Sequence, residues 1–184
     1  MITWVTVLKG DIILFTGHPL AQSVGVLAVI QSILVLQPTH TVEQKRIGQR
    51  VHGILHLASL CAFIAGVTVI EYNKISNGLG HFKSAHGYIG VITCIVIILQ
   101  YLVGFTMWAV PVLYGGEENA RKVWKYHRSS GYLVLALLIA SLMSAARTDF
   151  MIVLGMPFWV MVVGCVTLLL GIIPRIHPYK LGFK

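Results

Sequence analysis

Four histidines stand at the mouths of four apolar stretches, and imidazole in that position can ligate a metal. They are His18 in "GHPLAQSVG", His52 in "RVHGILH", His86 in "KSAHGYIG" and His127 in "YHRSSGYL". Neutral imidazole is a standard axial ligand of haem iron, and a haem that only passes electrons needs both axial positions filled. One-electron transfer through bis-histidine haems is therefore the chemistry that these residues could carry.

Membrane-spanning helices must position these histidines. The 184-residue chain is 57% hydrophobic and 11% charged, whereas a soluble domain carries about 25% charged residues. A spanning helix needs roughly 20 apolar residues. Five stretches, called segments A to E, meet this requirement: 19–37, 51–70, 85–110, 130–146 and 152–173. The composition predicts an all-α membrane protein, a bundle of five complete transmembrane helices in one domain covering residues 1–184.

The first 17 residues, "MITWVTVLKGDIILFTG", fit no complete span, because Lys9, Gly10 and Asp11 interrupt short apolar runs. They also lack the long apolar core and small-residue cleavage site of a signal peptide. This stretch is either the end of a truncated extra N-terminal helix or a segment that lies at the membrane interface.

The distribution of Lys and Arg predicts the orientation of the bundle. One side of the membrane receives Lys45, Arg46 and Arg50 from the A–B linker, Arg121, Lys122, Lys125 and Arg128 from the C–D linker, and Arg175, Lys180 and Lys184 from the tail. The positive-inside rule places these linkers and the C-terminus in the cytoplasm. The net charge of +8 follows from this asymmetry. Anionic membrane lipids are therefore expected partners, and a nucleic-acid partner is not expected.

This orientation sorts the four histidines into two pairs by depth. His18 and His86 open segments that start on the outer side, while His52 and His127 open segments that start on the cytoplasmic side. A lone histidine at a helix end is usually an interfacial side chain, but four at matching depths indicate function. Two bis-histidine haem sites are predicted. His56 lies one turn, about 6 Å, from His52 on the same face, so it is an alternative ligand or a hydrogen-bonding neighbour.

Two glycines share helix faces with the histidines. Gly90 follows His86 by four residues and Gly131 follows His127 by four, and helical residues four apart lie on one face. They would either leave space for a porphyrin or serve helix packing alone. The second nitrogen of each ligating ring should donate to a backbone carbonyl or a polar side chain.

The ordered set "GHPL … RVHGILH … HFKSAHG … KYHRSSGY" resembles the eukaryotic cytochrome b561 family over residues of about 16–150. The resemblance implies two heme b cofactors, the outer on His18 and His86 and the inner on His52 and His127. It also implies a plasma-membrane or endomembrane protein that passes electrons from cytoplasmic ascorbate to monodehydroascorbate or a ferric chelate.

The chain departs from the family pattern in two respects. Family members usually have six helices, and here the first is incomplete. The basic stretch after the second family helix of the chromaffin-granule type is replaced by "LVLQPTHTVEQKR". The chain is therefore more similar to the small single-domain members, and a homodimer is one candidate assembly.

Basic residues in this pattern are candidates for substrate contact. In the family, ascorbate meets basic residues at the start of the third helix and in the linker before the fifth. Arg fits such an anion through forked, charge-assisted hydrogen bonds, although topology alone would also make these linkers basic. The corresponding positions here are Arg46, Arg50, Arg121 and Lys125, and the outer-side candidates for an anionic acceptor are His81 and Lys83.

The predicted enzyme is a transmembrane ascorbate-dependent reductase of the ferric or monodehydroascorbate type. No separate catalytic residue is named, because the haems carry the redox chemistry. One alternative is a membrane cytochrome b that oxidises a quinol entering sideways from the lipid. Another is a transporter without a cofactor, in which the histidines carry protons along a water path.

Overall fold

The computed structural model describes residues 2–176, and the regular secondary structure of that part of the chain is entirely helical, without a strand. The α-helices are α1 (Ile2–Lys9), α2 (Gly17–Val35), α3 (Val42–Ser76), α4 (Ala85–Ala109), α5 (Glu117–Ala145), α6 (Asp149–Val153) and α7 (Phe158–Ile172). The five helical stretches long and apolar enough to cross a membrane are Leu14–Val35, Val42–Ser76, Ala85–Ala109, Glu117–Ala145 and Phe158–Arg175. The prediction of an all-α bundle with five spans is confirmed, whereas Lys180 and Lys184 lie outside the described residues.

Helices α3 and α5 begin well before segments B and D. At the start of α3, Thr41 and Gln44 form a capping box, in which each backbone N–H donates to the other residue's side-chain oxygen, at 3.1 and 3.2 Å. At the start of α5, Glu117 and Glu118 occupy the first turn, where negative charge stabilises the positive end of the helix dipole. Hydropathy detects only the apolar part of a helix, so these polar first turns were missed.

Segment E is two helices rather than one. The chain breaks between α6 and α7, where Gly155 has a φ of 70° and Pro157 directly precedes the first residue of α7. Glycine adopts that left-handed backbone without a steric penalty, and proline has no N–H to continue a helix. The apolar helix therefore starts at Phe158, six residues later than predicted.

The N-terminal segment is a short helix packed on the bundle. Trp4 donates its indole N–H to Ser23 Oγ at 2.8 Å, and Thr6 donates its hydroxyl to Met156 Sδ at 3.4 Å. Val7, the residue after Thr6, is fully buried. These contacts tie α1 to α2 and to the turn between α6 and α7.

Helix α2 pairs with α3 through hydrogen bonds that recur every seven residues. Seven residues are two helical turns, so such contacts stay on one face of each helix. The three are His18 Nδ1 with Gly66 O at 2.9 Å, Ser59 Oγ with Gly25 O at 2.9 Å, and His52 Nδ1 with Ser32 O at 2.8 Å. Because the outermost two lie fourteen residues apart, they are separated by about 21 Å along the helix axis.

Helices α4 and α5 repeat that spacing. His86 Nδ1 contacts Ser141 O at 3.1 Å, and fourteen residues along each helix Gln100 Nε2 donates to His127 O at 2.5 Å. The two helix pairs thus define two common levels. We call the level of His52 and His127 the basic end, since Arg50 and Arg128 adjoin it, and the level of His18 and His86 the opposite end.

One buried apolar cluster occupies the space between these levels. Its members from α2 to α5 are Val26, Val29, Ile30, Phe63, Ile97, Val134, Leu135 and Leu138, and Ile172 joins them from α7. Each of the four helices contributes residues that lie between its two level-defining positions. The core of the bundle therefore separates the two ends with packed hydrocarbon.

Candidate functional site: two histidine pairs

The fold brings the four histidines together as two pairs. The ring centroids of His18 and His86 are 6.2 Å apart with an interplanar angle of 76°, and those of His52 and His127 are 6.5 Å apart at 82°. The rings of each pair come from different helix pairs. Each site is therefore completed only when α2 and α3 pack against α4 and α5.

These separations fit one metal ion between the two rings of each pair. A metal–imidazole nitrogen bond is about 2 Å long, and the nitrogen lies about 1 Å from its ring centroid, so two imidazoles on opposite sides of one metal have centroids roughly 6 Å apart. Both pairs match this distance. The residues present therefore fit the bis-imidazole ligation of a haem iron.

The histidines enter their helices at two different positions. His18 and His86 are the second residues of α2 and α4, as expected for side chains at a helix mouth. His52 and His127 are instead the eleventh residues of α3 and α5. The expectation that His52 and His127 open their helices is therefore wrong, because about three largely polar turns of α3 and α5 precede them.

Backbone carbonyls of neighbouring helices orient three of the rings. His18, His52 and His86 each place Nδ1 against a carbonyl oxygen, at 2.9, 2.8 and 3.1 Å. A carbonyl only accepts, so Nδ1 carries the proton in each ring and Nε2 keeps its lone pair for a metal. The fourth ring differs, because the buried Nδ1 of His127 has no hydrogen-bond partner among the described residues.

His56 forms a hydrogen bond with Ser32. The Ser32 hydroxyl donates to Val29 O at 2.7 Å, so it accepts the hydrogen bond from His56 Nε2 at 2.9 Å. His56 Nε2 then carries a proton and has no lone pair to offer a metal. The carbonyl of the same Ser32 accepts from His52. This geometry favours His52 as the ligand and His56 as its neighbour, with 4.5 Å between their ring centroids.

The two glycines of the sequence pattern have different surroundings. A Cβ at Gly131 would lie 3.2 Å from Gln100 Nε2, so the missing side chain makes room for that amide. A Cβ at Gly90 would meet no atom of another described element within 4 Å. The structure favours helix packing at Gly131, and the porphyrin-clearance role of Gly90 stays a prediction.

At the basic end, helix α5 carries two of the four predicted donor contacts, Arg121 and Lys125. A pocket on α5 is lined by Arg121, Lys122, Trp124, Lys125 and Arg128. Arg121 is exposed and paired with Glu117 at 3.4 Å. Arg46 and Arg50 are exposed on α3 and do not line this pocket. The pocket that Arg121 lines therefore does not include Arg50.

At the opposite end, a second pocket of about 340 Å³ gathers cations from separate parts of the chain. Lys74 lies in the last turn of α3, Lys83 comes from the α3–α4 loop, and Arg147 comes from the α5–α6 turn, near Asp149. His81 does not line this pocket and instead pairs with Glu71 at 3.0 Å. Sequence reasoning missed Arg147, although a cation at the outer end of segment D was the available signal.

Residues 17–152 match the family described as eukaryotic cytochrome b561. The chain belongs to the eukaryotic cytochrome b561 family. The matched region contains all four histidines. A cytochrome is a haem protein, so membership in this family implies a b-type haem cofactor. The fit of the histidine pairs to haem iron agrees with that implication.

Individual relatives agree with this assignment. The chain is 27% identical over 114 residues to a human transmembrane ascorbate-dependent reductase, covering 59% of this chain and 45% of the relative. It is 24% identical over 159 residues to the cattle protein of the same name, covering 83% and 62%. A rat lysosomal membrane ascorbate-dependent ferrireductase is 24% identical over 148 residues, covering 79% and 57%. The chain thus spans roughly half the length of these b561 relatives.

Single substitutions at the two levels should remove different haems. His86→Ala is expected to lose the haem of the opposite end and keep the other, and His52→Ala to do the converse, because each pair is built from its own two residues. The haem-to-protein ratio of the purified variants measures this, with His81→Ala as a histidine control outside both pairs.

The double variant His18→Ala/His86→Ala distinguishes this pairing from any other. It should lose no more haem than His86→Ala alone, since both substitutions fall in one site. Loss of all haem from this double variant, with the chain still folded, would contradict the pairing.

His56→Gln should retain all haem and shift only the midpoint potential of the His52–His127 site. Glutamine can still donate to Ser32 Oγ, while the ring next to His52 is lost. Spectroelectrochemical titration resolves the potentials. If His56→Gln loses a haem that His52→Ala retains, then His56 is the ligand and the assignment is reversed.

Proposed function

We propose that the chain is a transmembrane one-electron oxidoreductase with two b haems, one held by His52 and His127 and one by His18 and His86. The observation that carries the proposal is the presence of two histidine pairs, each at a separation that suits one iron. They lie on helices long enough to cross a membrane. Electrons would enter at the basic end and leave at the opposite end.

In this proposal the side chains would hold the haems and orient their ligands. When bound, heme b supplies reversible one-electron oxidation and reduction at its iron. The Nε2 atoms of the four histidines are the ligating atoms. The carbonyls of Gly66, Ser32 and Ser141 fix three of the rings through Nδ1, which sets ring orientation and increases ligand basicity.

The apolar cluster between the two levels supports electron transfer over proton or ion transport. The two levels are about 21 Å apart along α2, and the space between them is filled by buried residues such as Val29, Phe63 and Val134. A water path for ions or protons needs polar groups along its length. An electron crosses packed hydrocarbon by tunnelling, so this core separates electron movement from ion leakage.

Ascorbate is the proposed donor at the basic end. Arg121, Lys125 and Arg128 line one pocket on α5, next to His127 in the chain, and guanidinium groups bind small oxyanions through forked hydrogen bonds. The human and cattle relatives are ascorbate-dependent reductases by name. Arg46 and Arg50, exposed on α3, would add positive potential that steers the anion. The positive-inside rule makes this end cytoplasmic.

An anionic acceptor is proposed at the opposite end, either monodehydroascorbate or a ferric chelate. Lys74, Lys83 and Arg147 meet in one pocket whose only carboxylate among the described residues is Asp149. Gly87, next to His86, lines the same pocket. The rat relative is a ferrireductase by name. His81 would contribute only through its ion pair with Glu71 at the rim.

Vesicles test the function as a whole. Purified protein should show b-type haem absorbance, and proteoliposomes loaded with a ferric chelate should form ferrous iron inside when ascorbate is added outside. The double variant His52→Ala/His86→Ala should form none, because both sites are disrupted. Purified protein without haem absorbance would exclude the proposal, and reduction by a quinol but not by ascorbate would favour the quinol-oxidising alternative.

Arg121→Ala should slow haem reduction by ascorbate several-fold and leave both haem spectra intact, and Arg50→Ala should do the same to a smaller extent because Arg50 lies outside the pocket. Neutral reductants should be affected little, and the ascorbate rate should fall with added salt. Stopped-flow absorbance measures each rate.

Arg175→Ala is the matched control for Arg121→Ala. It removes the same charge just beyond α7, at a residue that does not line the α5 pocket. Equal ascorbate rates in the two variants would mean that Arg121 contributes net charge alone and is no part of a donor site.

A further inference from the structure

The fourth histidine is held differently from the other three. His18, His52 and His86 are each oriented by a carbonyl of the helix beside them, whereas the buried Nδ1 of His127 has no such acceptor in the part of the chain that is described. A ligating ring without a hydrogen bond at its second nitrogen is free to rotate unless something else fixes it. Two residues of α4 that contact α5 could fix this ring in place: one provides a side-chain amide and the other is a glycine.

The amide belongs to Gln100 on α4, which reaches across to α5. Its Nε2 donates to the backbone carbonyl of His127 at 2.5 Å, and its Oε1 accepts from the hydroxyl of Ser130 at 2.8 Å. Both ends of the amide are therefore used on the turn of α5 that begins with His127. The donor end faces a carbonyl and the acceptor end a hydroxyl, so the amide orientation agrees with the chemistry of its partners.

The glycine is Gly104, one turn along α4 from Gln100. A Cβ at Gly104 would lie 2.9 Å from Cε1 and 3.3 Å from Nε2 of His127, closer than side chains normally approach. The imidazole thus lies directly on the bare backbone of α4. Only glycine lets a ring approach a helix this closely.

The arrangement is reciprocal. Gly131 lies one turn along α5 from His127, and a Cβ there would meet Gln100 Nε2 at 3.2 Å. Each helix therefore places one side chain, His127 or Gln100, over a glycine of the other helix. Two such contacts one turn apart fix both the depth and the rotation of α5 against α4.

We infer that Gln100 and Gly104 position His127, doing for this ring what a carbonyl acceptor does for the other three. Gln100 fixes the backbone from which the imidazole projects, and Gly104 provides the surface on which the ring lies. Both are positioning residues, since neither offers a ligand to the metal. The inference rests on the proposed role of His127 as a haem ligand.

Two substitutions test the contributions of Gly104 and Gln100 separately. Gly104→Ala adds a methyl group next to the ligating nitrogen, and Gln100→Met keeps the length of the side chain but removes its donor. Both should affect only the haem of the His52–His127 site, because Gln100 and Gly104 contact only the basic end. Loss of a second-sphere contact typically weakens metal-site affinity about 10- to 100-fold, so that haem should transfer to apomyoglobin at least ten-fold faster.

Spectroscopy separates positioning from general loosening. In Gln100→Met, the midpoint potential of the His52–His127 haem should shift and its low-temperature electron paramagnetic resonance signal should broaden, since the 82° angle between the rings is no longer held. The signal of the other haem should remain as in the parent protein.

Matched controls come from the same helix face and from an open glycine. Thr93→Val removes a buried polar group seven residues before Gln100, where the hydroxyl only donates to Ile89 O of its own helix. Gly164→Ala adds a methyl group where none of the described residues of other elements lies within 4 Å. Both controls should retain the haem content, potentials and spectra of the parent.

The outcomes separate this inference from the proposed function. His127→Ala is measured alongside, and if it retains all haem, then His127 is not a ligand and the proposed function fails at this residue. If His127→Ala loses a haem while Gly104→Ala and Gln100→Met keep parental haem transfer, potentials and spectra, the ligand assignment stands and the positioning role is overturned.

Discussion

The structure depends on the hydrogen bond between an imidazole Nδ1 and a backbone carbonyl of the neighbouring helix. Inside a bilayer no water is available, so a polar N–H must find its partner within the protein. The nearest acceptor across a helix interface is a carbonyl. For His18, His52 and His86, this bond settles the tautomer, so that Nε2 keeps its lone pair. The same bond that satisfies the polar ring in the membrane therefore also fixes its orientation.

The same bonds set the register of the helices. On α2 and α3 they recur every seven residues, with the Ser59–Gly25 contact between the two histidine levels. A slip by one residue would move both imidazoles away from their acceptors at once. The α4–α5 pair has the same fourteen-residue spacing between His86 and Gln100. Two helix pairs with equal spacing can meet at two depths together, and for that reason two complete histidine pairs form.

The ends and the middle of the bundle differ in the chemistry they allow. Packed apolar side chains between the levels permit an electron to tunnel and oppose the passage of ions. Cations collect at both ends, from α5 at one and from three separate segments at the other. Small anions would therefore be attracted next to either histidine pair, while the core keeps the two solutions apart. The proposed transmembrane oxidoreductase requires this separation of the two ends by an apolar core.

The sequence by itself determined the membrane bundle, its five spans, the two histidine levels and the family, because hydropathy and the order of four histidine motifs are local properties of the chain. It did not determine the polar first turns of α3 and α5, or the break at Gly155 and Pro157. Only the tertiary structure showed that Ser32 engages His56, that Gly131 makes room for Gln100, and that Arg147 joins Lys83 in one pocket. Each of these depends on which residues of two distant helices face one another. That register is set by contacts across helix interfaces, which no pattern within a single helix contains.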